Sequence, residues 1–480
     1  MMYVASAIMV CFAGALVSYM AKGHARAVAL IFSLVPLALF GYMYALVGTA
    51  YTEAHPWITP LGIQLSFAID GLSMALVLLT AILFPLTIVY AWNHDQRPGL
   101  FFSLLLLLEA ALIGVFTATD FIVFYICWEL TLIPLYFVVG LFGGERREHA
   151  AIKFFIYTHV GSLVMLLAIF ALYFASGLST FDMHSLMGAY AQLPPALRDL
   201  IFAGLLVGFI VKLPAVPFHG WLPDAYGEAP TAGTVLIAGL LSKMGAYGLL
   251  RISLPMLGVT HSVGLFTTLL AVLGVGGIVY ASLVALAQRD LKQMVAYSSV
   301  SHMGFVLLAV ASLSAVSVSG AMFMLFSHGL IIALLFMAVG VVHERAGTRL
   351  IPELGGITHR MPVLAFLVMG GFLASLGLPG MSGFVAEFLI LTGAYPSLPT
   401  FVLAALFGMI ITASYYIWAM QRAFFGPYNE RLGEVMDVGA TQAVPMAVLL
   451  GLVVLLGLYP APLLGMLEKV ATSLVMGVLL

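Results

Sequence analysis

Fourteen long apolar runs dominate the sequence of 480 residues. A membrane-spanning helix needs about 20 mostly apolar residues, and each run is long enough for one crossing. The runs, numbered helix 1 to helix 14, cover residues 2–20, 27–48, 70–92, 99–117, 119–141, 151–176, 198–224, 231–252, 262–287, 292–312, 317–343, 362–394, 400–424 and 441–459. The pattern predicts an all-α polytopic membrane protein with about 14 transmembrane helices.

The composition excludes several classes of protein. A soluble domain contains about a quarter charged residues, whereas this chain has 8% charged and 63% apolar residues. The net charge of -2 leaves no basic surface for nucleic acid. Two cysteines, Cys11 and Cys127, are too few for a zinc cluster or an iron–sulfur centre. We therefore expect neither a soluble enzyme nor a cofactor or metal in this chain.

The basic residues of the connections predict the orientation of the helices. Of the 18 lysines and arginines, thirteen lie in connections after odd-numbered helices and three after even-numbered helices, while Lys212 and Lys243 lie inside helices. Loops rich in basic residues stay on the cytoplasmic side. The sequence therefore predicts a multi-pass protein of a prokaryotic cell (inner) membrane with both termini on the outer side.

Ionisable residues inside the predicted helices are the strongest functional candidates. A charge at the centre of a membrane helix costs about 2.5–3.5 kcal/mol on insertion scales, so it is seldom placed there without a role. The candidates are Glu109, Glu129, Lys212, Lys243 and Glu387, with the histidines His159, His219, His302 and His328. The alternative is that each is a locally paired structural residue. Their spread over several helices favours the functional interpretation.

Two of these candidates lie beside breaks in their helices. Helix 7 carries three prolines within residues 212–223, and helix 12 carries the run GLPGMSG at residues 377–383. Proline removes a backbone donor and clashes with the preceding turn. Interrupted helices at membrane depth occur where protein or a water-filled cavity satisfies the freed carbonyls, and paired interruptions indicate a transport site. We therefore predict that helices 7 and 12 are broken.

The two breaks also suggest an internal repeat. They lie five helices apart, so helices 4–8 and helices 9–13 would form two inverted five-helix repeats. This map pairs Lys212 with Glu387 and places Glu129 opposite the region of His302. The predicted divisions are residues 1–98 (helices 1–3), 99–252 and 253–425 (the two repeats), and 426–480 (helix 14 and a tail).

Proton transfer is the chemistry that fits these residue types. Burial lowers the pKa of a lysine and raises that of a glutamate, while each stabilises the charged form of the other when they are close. Glu129 and Lys212 would form a switchable pair, with Lys243 as the next carrier. Histidine suits a relay role because its ordinary pKa is about 6.5.

Several motifs resemble a known family. The run FYICWELTLIP at 124–134 resembles helix 5 of the antiporter-like subunits of respiratory complex I. The runs KLPAVPFHGWLPDAYGEAP at 212–230 and LSKMGAYG at 241–248 resemble helices 7 and 8 of that family. AYSSVSHMG at 296–304 and FSHG at 326–329 resemble its helices 10 and 11. The resemblance extends from residue 66 to residue 425, and its longest motif is highly specific.

The residue at position 387 indicates which subunits within this family the chain resembles. Most antiporter-like subunits have a lysine at this place in helix 12, whereas a glutamate there resembles the M-type subunits of NADH–quinone oxidoreductase and their mitochondrial and photosynthetic equivalents. The resemblance implies the following roles: Glu129 and Lys212 as the pair of helices 5 and 7, Lys243 as the central lysine, His302 and His328 along the polar axis, and Glu387 as the exit-side carrier. Glu109 departs from the family pattern. It is either an addition to the polar axis or a structural group paired with Ser or Thr, and we favour the structural role.

The resemblance implies a membrane-arm, proton-translocating subunit of a redox-driven complex, without redox chemistry of its own. FMN, iron–sulfur clusters and quinone would belong to partner subunits. The partners would be other membrane-arm subunits, including sister antiporter-like subunits on either side, and lipids. Two alternatives remain. A subunit of a multi-subunit cation/proton antiporter is disfavoured by Glu387, and a scaffold is disfavoured by the interrupted helices.

Overall fold

The computed structural model describes residues 2–48 and 50–479 and is mostly helical. Twelve helices in this described part are long and apolar enough to cross a membrane. They are Tyr3–Met20, Ala25–Leu46, Gly71–Tyr90, Pro98–Thr117, Phe121–Phe142, Arg147–Ser176, Thr231–Leu257, Val263–Leu286, Leu291–Ser312, Ala315–Ala346, Pro399–Phe424 and Ala440–Leu458. These correspond to predicted helices 1–6, 8–11, 13 and 14.

The two remaining helices are broken, as predicted. Helix 7 consists of Pro195–Lys212 and Leu222–Glu228, separated by the proline-rich stretch. Helix 12 consists of Pro362–Ser375 and Ser382–Ala394. With the twelve continuous helices they account for the fourteen predicted crossings. The inverted repeats and the four divisions of the chain remain predictions.

Three elements outside the fourteen helices were not predicted. Residues 49–69, interpreted as a plain connection, contain an antiparallel hairpin of strands β1 (Tyr51–Ile58) and β2 (Ile63–Ile69). The connection 177–197 contains the helix Met183–Tyr190. The tail forms a helix over Ala461–Leu479, which packs against helices 3, 8 and 11. These elements lie outside the fourteen apolar runs, so counting such runs could not predict them.

The second half of helix 7 is held by charged residues from two other helices and from the connection after helix 11. Lys153 of helix 6 lies 2.6 Å from Asp224, and Lys292 of helix 10 donates to the carbonyl of Ala229 at 2.8 Å. Arg349, which follows helix 11, donates to the carbonyl of Gly227 at 3.0 Å. Cations near a helix C-terminus interact favourably with its dipole. The broken helix is therefore held at one end while its middle is unwound.

The core of the molecule lies around helices 8, 10 and 11. Nearly all of their residues are buried, whereas helices 1 and 2 bury only one face. Polar side chains on helices 8, 10 and 11 are thus enclosed by protein on all sides.

Candidate functional site

Lys243, near the middle of helix 8, is completely buried and fully engaged. Its Nζ donates to the carbonyl of Ala238 at 2.7 Å, lies 3.3 Å from the hydroxyl of Ser242, and lies 2.8 Å from Nδ1 of His328. A charged lysine has only donors, so Nδ1 must then accept and the ring proton must lie on Nε2. That Nε2 is 3.2 Å from the hydroxyl of Ser299. Lys243 and His328 therefore form one hydrogen-bonded unit.

Helix 8 is widened on both sides of Lys243. Residues Ile237–Leu241 and Leu249–Ser253 are π-helical and flank the α-helical turn Ser242–Gly248. The wider hydrogen-bonding pattern of a π-helix changes which backbone carbonyls are free to accept a bond from a side chain. Lys243 binds the carbonyl of Ala238, which lies in the first π segment. Such π-bulges occur frequently at functional sites.

The contacts continue from His328 to Glu387. The rings of His328 and His302 are 5.2 Å apart, and Nε2 of His302 is 3.6 Å from Oε1 of Glu387. All three side chains are buried. The structure therefore brings Lys243, His328, His302 and Glu387 together as one row, which we call the inner cluster.

His302 links the inner cluster to the break in helix 12. Its Nδ1 lies 2.7 Å from the carbonyl of Ser298, and its Nε2 lies 3.1 Å from the carbonyl of Ser375, the last residue before the break. A carbonyl only accepts, so both contacts are hydrogen bonds only when both ring nitrogens carry a proton. The same Nε2 thus lies near both the carbonyl that ends the first half of helix 12 and the carboxylate of Glu387.

The break in helix 12 also makes room for Glu387. Gly377 has φ +80°, a conformation that favours glycine, and a Cβ added there would lie 2.5 Å from Oε2 of Glu387. The GLPGMSG run therefore serves two purposes. It interrupts the helix, and it allows the backbone to approach the carboxylate.

Glu129 and His159 form a second, separate group near the surface of the chain. Oε2 of Glu129 lies 2.7 Å from Nδ1 of His159, and the two side chains are 21% and 36% exposed. The predicted partner, Lys212, is not in contact with Glu129, because the structure has no ion pair between them within 4.0 Å. We call Glu129, His159 and Lys212 the outer cluster.

Lys212 is buried without a hydrogen-bond partner among the described residues. Its Nζ lies 5.7 Å from the ring centroids of both Trp128 and Phe154. A cation–π contact contributes about 0.5–2 kcal/mol, whereas burying an ion costs several kcal/mol. The rings alone therefore cannot offset the burial of the charge. Glu129 is the acid that acts on Lys212 electrostatically.

The break after Lys212 is satisfied from within the protein. The indole Nε1–H of Trp221 donates to the carbonyl of Val211 at 3.0 Å, and the amide of Ala215 donates to that of Ile210 at 2.9 Å. Helix 8 approaches closely, since a Cβ on Gly245 would lie 2.5 Å from the amide nitrogen of Leu213. Lys212 is thus fixed beside helix 8, although no described hydrogen bond joins it to another side chain.

Glu109 belongs to neither cluster. It is completely buried in helix 4, and neither carboxylate oxygen has a hydrogen-bond partner in the described part of the chain. The expected pairing with Ser or Thr is therefore wrong.

Sequence reasoning missed Tyr416 in helix 13 and did not assign a role to His159. The Tyr416 hydroxyl donates to Ser298 at 2.9 Å and accepts from Ser375 at 2.7 Å, so it fastens the residues that hold His302. Nothing in the local sequence pattern distinguishes this tyrosine from the others of the chain. His159 carried a usable signal, because it is an ionisable residue inside a predicted helix.

Asp70 anchors helix 3 outside the membrane-spanning segments. Burial works to raise the pKa of its carboxyl, but the Arg251 guanidinium at 2.6 Å and the amide of Ser73 outweigh burial and hold the pKa below its usual range. The carboxylate thus caps helix 3 and ties it to the end of helix 8. This pair stabilises the frame around the clusters.

Comparisons with known proteins agree with this architecture. Residues 118–412 match the family model described as NADH:quinone oxidoreductase/Mrp antiporter, transmembrane. The chain is 51% identical over 448 residues to F(420)H(2) dehydrogenase subunit M of Methanosarcina mazei, covering 92% of this chain and 90% of the relative. It is 41% identical over 437 residues to NADH-quinone oxidoreductase subunit M of Rhodobacter capsulatus, covering 88% and 84%.

A solved structure shares the fold over the whole length. A chain of respiratory complex I from Thermus thermophilus with bound NADH superposes with a TM-score of 0.92 and 29% identity, covering 99% of both chains. The family match and the two relatives confirm the resemblance seen in the motifs. This chain belongs to the NADH:quinone oxidoreductase/Mrp antiporter transmembrane family, as an antiporter-like subunit of the M type.

Proposed function

We propose that this chain translocates protons as a membrane-arm subunit of a redox-driven quinone oxidoreductase complex, through Glu129, Lys212, Lys243, His328, His302 and Glu387. The observation that carries the proposal is the buried row of Lys243, His328, His302 and Glu387. Proton transfer needs groups within hydrogen-bond reach or one water apart. A row of this kind has no use in a scaffold, because burying it opposes stability.

The names of the relatives support a redox-driven complex and leave the electron donor open. One relative is named for F(420)H2 and the other for NADH, while both are named subunit M. We propose that electron transfer takes place in partner subunits holding FMN, iron–sulfur clusters and quinone. This chain would carry protons without redox chemistry of its own. Its sister antiporter-like subunits would lie on either side.

The orientation is part of the proposal. The basic connections would face the cytoplasm of a prokaryotic cell and both termini would face outward. Protons would then leave on the side that carries the hairpin. Cysteine accessibility at an engineered site in the hairpin, measured in intact cells, tests this assignment.

Lys212→Met in the assembled complex tests the function. Proton uptake or release per electron pair in reconstituted vesicles should fall about tenfold or more, because the variant removes a carrier. Lys469→Met, which changes an exposed lysine of the C-terminal helix, should pump normally. Normal pumping by an assembled Lys212→Met complex would refute the proposal.

The antiporter alternative has its own test. The intact complex should purify in mild detergent together with flavin and iron–sulfur subunits. Recovery with only small membrane subunits, together with sodium-dependent proton movement in vesicles, would favour a cation/proton antiporter instead.

A further inference from the structure

His159 is an ionisable residue of helix 6 that the proposed relay does not use. Its Nδ1 is 2.7 Å from Oε2 of Glu129, the shortest described contact that either acid of the relay makes to an ionisable side chain. The imidazole also stacks on Phe155, with ring centroids 5.4 Å apart and planes 17° apart. The ring is therefore held in one orientation towards the carboxylate.

Glu129 can serve two partners. Its Oε2 contacts His159, whereas its Oε1 has no hydrogen-bond partner among the described residues. Lys212 likewise has none, although Glu129 acts on it electrostatically. A carboxylate has lone pairs on both oxygens and can accept from two sides. The structure thus shows Glu129 paired with His159, while Lys212 has no counter-charge in direct contact among the described residues.

The surroundings of His159 argue against a purely packing role. Its neighbours on the outer side of helix 6, Ile156, Val160 and Leu163, are exposed and apolar, as suits a surface within the membrane. An ionisable side chain at such a surface costs free energy that an apolar residue would avoid. A histidine at this position makes the contact with Glu129, which an apolar side chain could not make.

The inner cluster provides a parallel. In the predicted repeat, helix 6 corresponds to helix 11, and His159 and His328 both lie near the middle of their helices. His328 contacts Lys243 on one side and faces His302 on the other. A histidine on the middle helix therefore touches the charged group of a neighbouring helix in both clusters.

We propose that His159 is a third proton-transfer residue of the outer cluster, passing a proton to Glu129, which then transfers it to Lys212. This inference rests on the proposed function. When imidazolium His159 donates, the Nδ1–H bond breaks and an O–H bond forms on Oε2, leaving a neutral imidazole and a neutral carboxylic acid. When Glu129 then donates to the neutral amine of Lys212, the O–H bond breaks and an N–H bond forms. Glu129 is again a carboxylate, and Lys212 is an ammonium.

Chemical rescue distinguishes proton transfer from packing. In the assembled complex solubilised in detergent, His159→Ala should lower the rate of coupled electron transfer to quinone about tenfold or more. Added imidazole should restore much of that rate, because the site is partly exposed. Pyrazole, which has the same shape but is a far weaker base, should not. His149→Gln, at an exposed position of the same helix, is the matched control and should behave as wild type.

The outcomes separate this inference from the proposed function. A wild-type rate in His159→Ala, or rescue by neither or both compounds, overturns the role of His159. If His159→Ala does not assemble, His159→Gln replaces it, and a wild-type rate in that variant overturns the inference. Because Lys212→Met tests the function independently, its loss of pumping alongside a fully active His159 variant refutes only the present inference.

Discussion

The outer and inner clusters use similar residue types in different ways. In the outer cluster, Glu129 is paired with His159 near the surface, and Lys212 is buried without a hydrogen-bond partner among the described residues. In the inner cluster, Lys243 and Glu387 are joined through two histidines in a buried row. The contrast is between a partly exposed pair and a row of buried side chains that lie close together.

The difference follows from solvent access and packing. Charges interact more strongly where the effective dielectric constant is low, so a buried row such as the inner cluster responds to a charge that changes at its end. Glu129 and His159 of the outer cluster are partly exposed, so rearranging them costs less than rearranging the buried row.

The two broken helices also differ in which side chain lies against the carbonyl freed at the break. At helix 7 the freed carbonyl of Val211 is bound by Trp221, so Lys212 itself remains without a partner among the described residues. At helix 12 the carbonyl of Ser375 lies against His302, a member of the proposed relay. A movement at the helix 12 break would therefore displace a residue of that proposed relay directly.

Breaking the Lys243 end of the inner cluster should have the largest effect. Lys243→Met removes the donor to His328 and one of the two side-chain donors to the carbonyl of Ala238. Proton pumping by the assembled complex in vesicles should fall about tenfold or more, because the row loses its end member. Lys469→Met is the matched control. Unchanged pumping would show that the inner cluster is not the path.

Displacing Glu387, at the other end of the row, should have a smaller effect on proton pumping. Gly377→Ala places a Cβ 2.5 Å from Oε2 of Glu387 and also strains a residue with φ +80°. Pumping should fall several-fold, with the assembled protein retained at a reduced level. Gly264→Ala, where an added Cβ meets nothing within 4 Å, should leave both pumping and assembly unchanged. Equal behaviour of the two variants would contradict the placement of Glu387 in the row.

Neutralising Glu109, an acid outside both clusters, should have little effect on proton pumping. Glu109 has no described hydrogen-bond partner and contacts neither cluster, so Glu109→Gln should keep most of the pumping activity. The measurement is the proton-to-electron ratio in vesicles, with Glu387→Gln as the sensitive comparison. A loss as large as that of Glu387→Gln would add Glu109 to the relay and weaken the distinction between two clusters.

The smallest effect is expected at the surface pair of Asp70 and Arg251. Asp70→Asn keeps a good helix cap but removes the ion pair, so unfolding free energy should fall by about 1 kcal/mol or less. The pKa of Asp70 is lowered from 3.8 in the folded state, so its contribution is present above that value and is lost as the pH falls through the folded pKa. Thermal unfolding should show a difference from wild type near pH 7 that disappears in acid, without a change in pumping.

Much of this architecture was predictable from the sequence. Long apolar runs indicated the crossings, and the prolines of residues 212–223 and the glycines of 377–383 indicated both breaks. The hairpin at residues 51–69 was not predicted, because its two short strands do not form a long apolar run. Which side chains meet depends on how the helices rotate against one another. The sequence therefore indicated Glu129 and Lys212 as a pair but gave no sign that Glu129 would bind His159 instead.

The central claim is that the two clusters act in series on one proton path. The direct test is the proton-to-electron ratio in vesicles for Glu129→Asp, Glu387→Asp and the double variant, since each shortens a carrier by one methylene without removing its charge. A path in series predicts that the double variant pumps about as well as the more impaired single variant, because coupled sites are not additive. If the two losses simply add, as they do for parallel routes, the clusters serve separate routes and the account is contradicted.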